Sequence, residues 1–459
     1  MTRRRVLVDF VIFLIPVAAH AIWDQVEATL LAREIARIAS RHEPVNVATR
    51  MSALPTPEQR AAARVYAAAA DLAATKFRDD PKLYNRDDEL DRAFASGRPA
   101  EMLEDVRRRY IEGEPAFGLL AQASALDFAG FGPAGPGLYE NASPLGELNA
   151  LNSLRGDTLT ARGDANASAE ALMQSVRLQR AIGREFYRYL ATRRWYGSLR
   201  LLLRYAPPEP ETLLRLQRVL EELPDDDSLV PQLQAERAQL LGEFWPYPPN
   251  GAVWAFRGRM SRRDMNGIAF VVLRPLLTRI VRNQLKPFEE AIEVARRPWP
   301  AKLDATDLLK QRYAGHALAR PAKRTWLQRA AAVFPPALGV ATLNSYVPLA
   351  GLNLAMRRTS IAAVAIERFR RAHGGEAPAT LSALVPEYLA GVPVDPFSGQ
   401  SLLYRRTAAS YVVYSIGQNR GDDGGGLYGL GSQTEERRAS EGPYRGGDVG
   451  IRMPLPPHH

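Results

Sequence analysis

The side chains that could do chemistry in this chain of 459 residues are mainly carboxylates. Adjacent acids occur at Asp79-Asp80, at Asp87-Asp88-Glu89 and at Asp225-Asp226-Asp227. Two carboxylates at a set separation are enough for glycoside hydrolysis, so these clusters make an enzyme acting on glycan one hypothesis. Charged helix ends and turns contain the same clusters routinely, and we prefer that interpretation.

The other reactive residue types argue against a catalytic centre. The chain has no cysteine, which excludes disulfides, thiolate nucleophiles and cysteine-based metal sites. Among its six histidines, the four inner ones, His20, His42, His316 and His373, do not stand at metal-ligand spacing. There is no H-E-x-x-H, no G-x-S-x-G and no S-x-x-K with its usual partners. We therefore predict that the protein is not an enzyme.

The charge balance indicates an anionic partner. The formal net charge is +10 and 24% of the residues are charged. Such a surplus favours lipid headgroups, acidic proteins or nucleic acid. The arginines are scattered through predicted helices, and no RRM, KH or zinc-finger pattern is present, so nucleic acid is not a predicted partner.

The segment from Arg357 to Gly426 has the clearest organisation. Apolar residues from Ile361 to Phe369 recur at helical spacing, and His373-Gly374-Gly375 then ends the predicted helix. Four prolines follow, so the chain crosses in turns with at most a short helical piece. Residues Gln400 to Arg406 and Tyr411 to Ile416 predict a β-hairpin, which leads into an acidic, glycine-rich turn.

The order of these motifs supports a resemblance. Helix, HGG, P-x-T-L-x-x-L-V-P, V-P-x-D-P-F-x-G, Y-R-R, Y-x-x-Y-S-x-G and D-D-G-G together resemble the C-terminal domain of the major pseudopilins of type II secretion systems. The whole chain is similar to a family of uncharacterised bacterial membrane-anchored proteins with a long helical middle. The first resemblance implies a small α+β domain at residues 356–459, with a glycine-rich acidic tail.

The pseudopilin resemblance also implies a calcium site. By that likeness Asp422 and Asp423, with Asp448 returning later in the chain, are the carboxylate ligands. Three formal charges, with glycines that let carbonyl oxygens turn inward, suit a hard cation with six to eight oxygen ligands. The EF-hand spacing is absent, and the alternative is an exposed turn whose aspartates cap nearby amides. We retain calcium as the one predicted cofactor.

The N-terminus predicts a membrane helix at residues 1–23. Arg3, Arg4 and Arg5 precede Val6 to Trp23, a run of 18 mostly apolar residues. A helix of that length spans about 27 Å, close to the roughly 30 Å of the hydrocarbon core. Ala19-His20-Ala21 would also satisfy a signal-peptide cleavage rule. The apolar pattern continues past Trp23, which favours an uncleaved anchor, and the positive-inside rule places the rest of the chain outside the cytoplasm.

The middle of the chain predicts helices. Residues 24–140 form a helical region and residues 141–355 a helical array, with an antiparallel pair after Leu145 that is similar to one tetratricopeptide unit. The stretch from Ala330 to Met356 carries no charge and could be a second membrane span. Its prolines at 335, 336 and 348 favour a buried helix that leads into the C-terminal part instead.

These observations predict a mainly α protein with an N-terminal membrane helix, an extracytoplasmic helical array and a small C-terminal α+β, pseudopilin-like domain. We expect a single-pass cell-membrane protein whose bulk lies on the periplasmic or extracellular side. Its predicted role is that of a non-enzymatic structural or scaffold subunit that docks to or stabilises a larger membrane complex. Its predicted partners are the bilayer and other subunits of that complex. A pseudopilin processing site, Gly-Phe followed by an early Glu, is missing, so polymerisation into a pilus is not predicted. The alternatives are a secretion or pilus-like apparatus component and a cell-envelope glycan hydrolase.

Overall fold

The computed structural model describes residues 3–46, 56–80, 87–126, 138–181, 185–223, 225, 229–244, 267–314, 337–427 and 447–455. Within its helices, the side chains of residues 3–13, 87–88, 91, 138–143, 180–181, 185–187, 243–244 and 267–273 are not described. The described chain is mainly helical with a small three-stranded antiparallel sheet, which confirms the predicted class at that level.

The longer helices are α1 (Arg3–Ser40), α2 (Pro57–Asp79), α3 (Asp87–Ala95), α4 (Ala116–Ser124), α5 (Leu138–Ala161), α6 (Ala165–Ala181), α7 (Glu185–Tyr205), α8 (Pro210–Glu221), α9 (Leu229–Phe244), α10 (Gly267–Ala295), α11 (Ala301–Ala314) and α12 (Leu338–Ala372). Short helical turns at Pro99–Met102, Glu104–Val106 and Arg107–Ile111 join α3 to α4. A 3₁₀ turn, Leu381–Leu384, precedes strands β1 (Leu403–Arg406), β2 (Ser410–Ser415) and β3 (Val449–Pro454).

These elements form two compact units. The first contains Met1–Leu54, Val230–Arg297 and Asp304–Ser345, and the second contains Pro55–Leu229, Pro298–Leu303 and Tyr346–His459. Both units are therefore assembled from segments that are distant in sequence. Helix α12 runs through residue 355 without a break, so its residues are divided between the two units.

In the first unit α1 packs along α10. Leu31 and Ile38 of α1 are completely buried, because they recur on one face of the helix after its apolar first half. Gly339 of α12 lies against the ring of Phe288, where an added Cβ would come within 2.7 Å of a ring carbon. A glycine at this point lets the two backbones approach closely.

Helix α1 continues from the predicted anchor to Ser40, so the predicted helical continuity past Trp23 is confirmed. Among the helices whose residues the structure describes, none has the length and apolar character needed to cross a membrane. Much of the predicted membrane segment, residues 3–13, has side chains outside the described part.

The second unit contains two hydrophobic clusters. One lies between α2, α4 and α5, and the other joins α6, α7, α8 and α12 to the sheet. Helices α5 and α6 form the predicted antiparallel pair, with Gly163 in a left-handed conformation (φ +80°) at the turn between them. Hydrogen bonds connect the two helices, and in one of them Asn152 Nδ2 donates to the carbonyl of Ala171 at 2.6 Å.

The C-terminal part of the second unit follows the predicted order. Helix α12 buries residues 361 to 366, ends at Ala372 and is followed by Gly374 and Gly375, both at positive φ. Strands β1 and β2 form the predicted antiparallel hairpin, with Leu403 opposite Tyr414. Strand β3, which the sequence did not predict, pairs on the other side of β2.

The uncharged stretch that could have been a second membrane span is mostly the first half of α12. Its residues 337–356 are described, and Leu343 and Val347 are fully buried among them. This burial confirms the prediction of a buried approach to the C-terminal part. Residues 330–336 lie outside the described part of the chain.

Candidate functional site

The predicted acidic turn forms a closed loop at one end of the sheet. The loop follows β2 from Gly417 to Leu427, and Leu427 pairs with Asp448 just before β3 begins. Gly417 has a φ of +68°, and a Cβ added there would lie 2.2 Å from the carbonyl oxygen of Gly447. Only glycine allows the two chain segments to meet at this distance. The name acidic loop is used below for residues 417–427 with Gly447 and Asp448.

Asp448 is the buried centre of the acidic loop. Its side chain is fully shielded from solvent, and its two oxygens accept bonds from the amide of Asp423 at 3.3 Å and from the amide of Gly425 at 2.7 Å. Burial raises the pKa of Asp448 above its usual value, although the two amide bonds act in the opposite direction. The nearby charges of Asp423 and Asp422 add to the rise.

Asp422 lies at the exposed edge of the loop. It accepts bonds from the Gly424 amide at 2.8 Å, the Tyr414 hydroxyl at 3.0 Å and the Arg405 guanidinium at 3.0 Å. The amide bond from Gly424 is the largest cause that lowers the pKa of Asp422 below its usual value, and Tyr414 and Arg405 add to it. Asp422 therefore fixes the turn and links it to the β1–β2 hairpin.

Asp423 completes the predicted set, and its carboxylate accepts a bond from the Asn419 side chain at 2.8 Å. The structure thus brings all three predicted aspartates into one loop, where donors face the carboxylates of Asp422 and Asp448. Among the described residues, no group of three or more histidine and carboxylate side chains is arranged to hold a metal ion. Calcium would have to share or displace these hydrogen bonds, since its ligands must direct lone pairs at the ion. Calcium binding stays a prediction.

A further buried carboxylate, Asp395, was missed by sequence reasoning. It is 1% exposed, and its oxygens accept bonds from the amides of Phe397 (3.0 Å) and Ile416 (3.1 Å) and the hydroxyls of Ser398 (3.1 Å) and Ser415 (2.6 Å). Asp395 therefore joins the D-P-F-S turn to the end of β2. The available signal was an aspartate at the first position of a proline turn, where side-chain acceptors commonly cap backbone amides.

Two described members of the carboxylate clusters that raised glycosidase chemistry have partners within the fold. Asp80 accepts a bond from the Tyr110 hydroxyl, and Asp225 forms ion pairs with Arg357 and Arg358. Asp226 and Asp227, like the side chains of Asp87 and Asp88, lie outside the described part. Asp80 and Asp225 thus help to hold elements of the fold together.

Two histidines and a buried tyrosine also make contacts within the fold. His20 contacts the ring of Trp23, and His373 stacks on Phe369 with 3.8 Å between ring centres. Tyr411 donates a 2.6 Å hydrogen bond to Glu367, and its burial raises its pKa well above the usual value.

Comparison with known protein families, with curated proteins and with solved structures finds no match for this chain.

Proposed function

We propose that this protein is a membrane-anchored, extracytoplasmic scaffold subunit that works through its surfaces and has no catalytic centre. In this proposal the first half of α1 enters the bilayer, and the remaining chain docks to or stabilises a larger membrane complex. The proposal is supported by one observation above the others, the solvent exposure of an apolar helix.

The exposed helix is the first half of α1. Residues 14–19 are exposed on every side of the helix, with Ile15 at 63%, and Ile22 further along is 65% exposed. In the second half, by contrast, Leu31 and Ile38 are completely buried. A helix that is apolar all round normally lies in a core or a membrane, and burying each large aliphatic side chain contributes about 1.5–3 kcal/mol. Exposed apolar stretches of this kind mark interaction sites.

The bilayer suits this stretch because of its flanks. Three consecutive arginines, Arg3 to Arg5, precede the apolar segment, which is the arrangement that fixes a cytoplasmic end. Trp23 stands at the other end and is 37% exposed, as an indole at a membrane interface would be. The scaffold role is supported by the carboxylates Asp395, Glu367 and Asp448, which serve as hydrogen-bond acceptors within the fold.

Membrane attachment is tested by extraction and flotation of the full chain. The wild type is expected to stay with membranes in alkaline carbonate and to float with vesicles, and mass spectrometry should find peptides that begin before Ala21. The double variant Ile15→Asp/Val17→Asp should shift towards the soluble fraction, because each acid in the apolar layer costs about 2.5–3.5 kcal/mol. Ala36→Asp is the matched control, since position 36 is exposed on the same helix beyond the apolar half.

Complete removal of the wild-type protein from membranes by carbonate would refute the membrane anchor. A mature N-terminus at Ile22 would identify a signal peptide instead.

The scaffold role is tested by deleting the gene, which should shrink a membrane complex in native gels. Cleavage of peptidoglycan fragments by the purified protein, abolished by single Asp or Glu substitutions, would replace this proposal with a glycan hydrolase.

A further inference from the structure

Helix α7, in the second unit, carries a line of positive charge on its exposed side. Residues 186–208 contain five arginines and no aspartate or glutamate. Most of the helix is buried, and Trp195 and Leu199 are completely shielded from solvent. The positions that reach the surface recur every three to four residues along one side, and they include Arg193, Gly197, Arg200 and Arg204. This side of α7, called the α7 stripe below for these four residues, is therefore basic without a carboxylate of its own.

The two outer charges of the α7 stripe are not neutralised within the described chain. Arg193 is exposed, and its side chain forms no hydrogen bond or ion pair with a described residue. Arg204 is also exposed, and its guanidinium lies 5.2 Å from the centre of the Tyr205 ring, with no carboxylate bonded to it among the described residues. Arg200, between them, interacts within the chain. Arg193 and Arg204 are therefore the charges that an outside partner meets.

Gly197 lies between these two charges. It stands in the interior of a helix of 21 residues, where glycine is less favourable than alanine. A Cβ built at Gly197 has no described atom within 4 Å, so the packing of the described chain does not require a glycine there. The missing side chain leaves a depression in the α7 stripe, which lets the backbone of another chain approach closely.

The spacing of the α7 stripe indicates the kind of partner. Arg193 and Arg204 are 11 residues apart. That interval is three helical turns, or about 17 Å along the axis. A second helix laid along α7 repeats its side chains at the same interval, so it can present a carboxylate to each arginine. The planar guanidinium group binds carboxylates through paired hydrogen bonds.

A protein fits this line of charge better than a lipid surface does. Anionic headgroups form a plane and are attracted by clusters of basic residues. The α7 stripe is narrow, because Thr192 and Leu203 beside it are buried. Leu190 and Tyr205, at its two ends, are 38% and 43% exposed and offer apolar and aromatic contacts. Tyrosine and arginine are both enriched at protein interfaces.

We propose that the α7 stripe is the docking surface for an acidic helix of a partner protein. Carboxylates of that helix pair with Arg193 and Arg204, and its backbone passes over Gly197. This inference rests on the proposed function, because it names the surface through which the scaffold docks. Salt should weaken the docking, since both arginines face water.

The test uses full-length variants in cells whose own copy of the gene is deleted. Arg193→Glu/Arg204→Glu reverses both charges, and Gly197→Gln fills the depression without changing the charge. Arg64→Glu/Arg218→Glu is the matched control, because it changes the net charge equally at exposed positions on other helices of the same unit. Carbonate extraction and hydrogen exchange of α7 peptides select the variants that stay in the membrane and remain folded.

Native gels measure how much of the membrane complex each variant restores. The wild type and the control pair should restore it, whereas Arg193→Glu/Arg204→Glu and Gly197→Gln should each reduce it by at least about tenfold. Full restoration by Arg193→Glu/Arg204→Glu would overturn this inference and leave the scaffold proposal intact. A complex that is unchanged by the gene deletion itself would overturn both.

A photo-cross-linking amino acid in place of Leu190 identifies the chemistry of the partner. Mass spectrometry should find it joined to a protein segment with several aspartates or glutamates, and the cross-link should be lost in high salt and in Arg193→Glu/Arg204→Glu. A cross-linked segment without acidic residues would overturn the inference. Cross-links to phospholipid alone would also overturn it, because they would indicate a membrane surface in place of a protein.

Discussion

Replacing Arg237 with methionine should strongly destabilise the first unit. Arg237, on α9, is fully buried and forms ion pairs with Glu43 at 2.6 Å and with Glu289. Methionine preserves most of the aliphatic length but leaves two carboxylates without their central cation. Glu43 has only 10% of its side chain exposed, so water cannot restore the lost interaction fully.

The size of the loss follows from burial. Removing one partner of a buried ion pair costs about 3–5 kcal/mol, and we expect about 3 kcal/mol because Arg41 and Arg296 still reach Glu43. Arg41 supplies a matched control, since it pairs with the same two glutamates but is 36% exposed. Exposed pairs contribute about 0.2–1 kcal/mol, so Arg41→Met should cost less than about 1 kcal/mol.

Hydrogen exchange read by mass spectrometry measures these losses, because it resolves the opening free energy of peptides from α9 and α10 separately from the second unit. In Arg237→Met the slowest amides of both helices should exchange about a hundredfold faster, which corresponds to about 3 kcal/mol. In Arg41→Met they should change by less than about fivefold.

The pH dependence gives a second readout. Burial alone would raise the pKa of Glu43, but hydrogen bonds from Arg237 and Arg41 outweigh it and lower the pKa from its ordinary 4.5. The stability that Glu43 contributes is therefore complete above pH 4.5 and is lost as the pH falls through the lowered folded pKa. Arg237→Met should weaken this acid dependence. Equal losses in Arg237→Met and Arg41→Met, or an unchanged acid dependence, would refute the role of burial.

Three further predictions concern the C-terminal part. Gly417→Ala should lower the free energy of unfolding in urea by at least about 2 kcal/mol, and Gly374→Ala should lower it by about 1 kcal/mol. Both glycines have positive φ, but only Gly417 lies against another backbone, so equal losses would contradict this reasoning. Asp395→Asn should cost about 2 kcal/mol, since the amide leaves one of its buried donors facing an NH₂ group, and a neutral result in the same assay would count against the hydrogen-bond assignment. Calcium should raise the melting temperature of the wild type and not that of Asp423→Ala, and calcium ligation is rejected if the wild type does not respond.

The sequence determined the local elements of this protein. Apolar spacing from Ile361 to Phe369 predicted the end of α12, and Gly374 after it predicted where the helix stops. The alternation around Thr407 predicted the β1–β2 hairpin. These features depend on residues within one or two turns of each other, so the periodicity of the chain encodes them directly. The apolar character of the first half of α1 is local in the same way.

Tertiary structure decided which distant residues meet. Arg237 and Glu43 are 194 residues apart in the chain, and neither differs in sequence from an ordinary surface charge. Asp395 became a buried acceptor only because the end of β2 returned to it, and Asp448 because the acidic loop closed over it. The packing of α10 on α1 likewise decided where the exposed half of α1 ends, because Arg282 of α10 pairs with the buried Glu27. A side chain's burial and partners are properties of the surfaces that surround it, and those surfaces come from other parts of the chain.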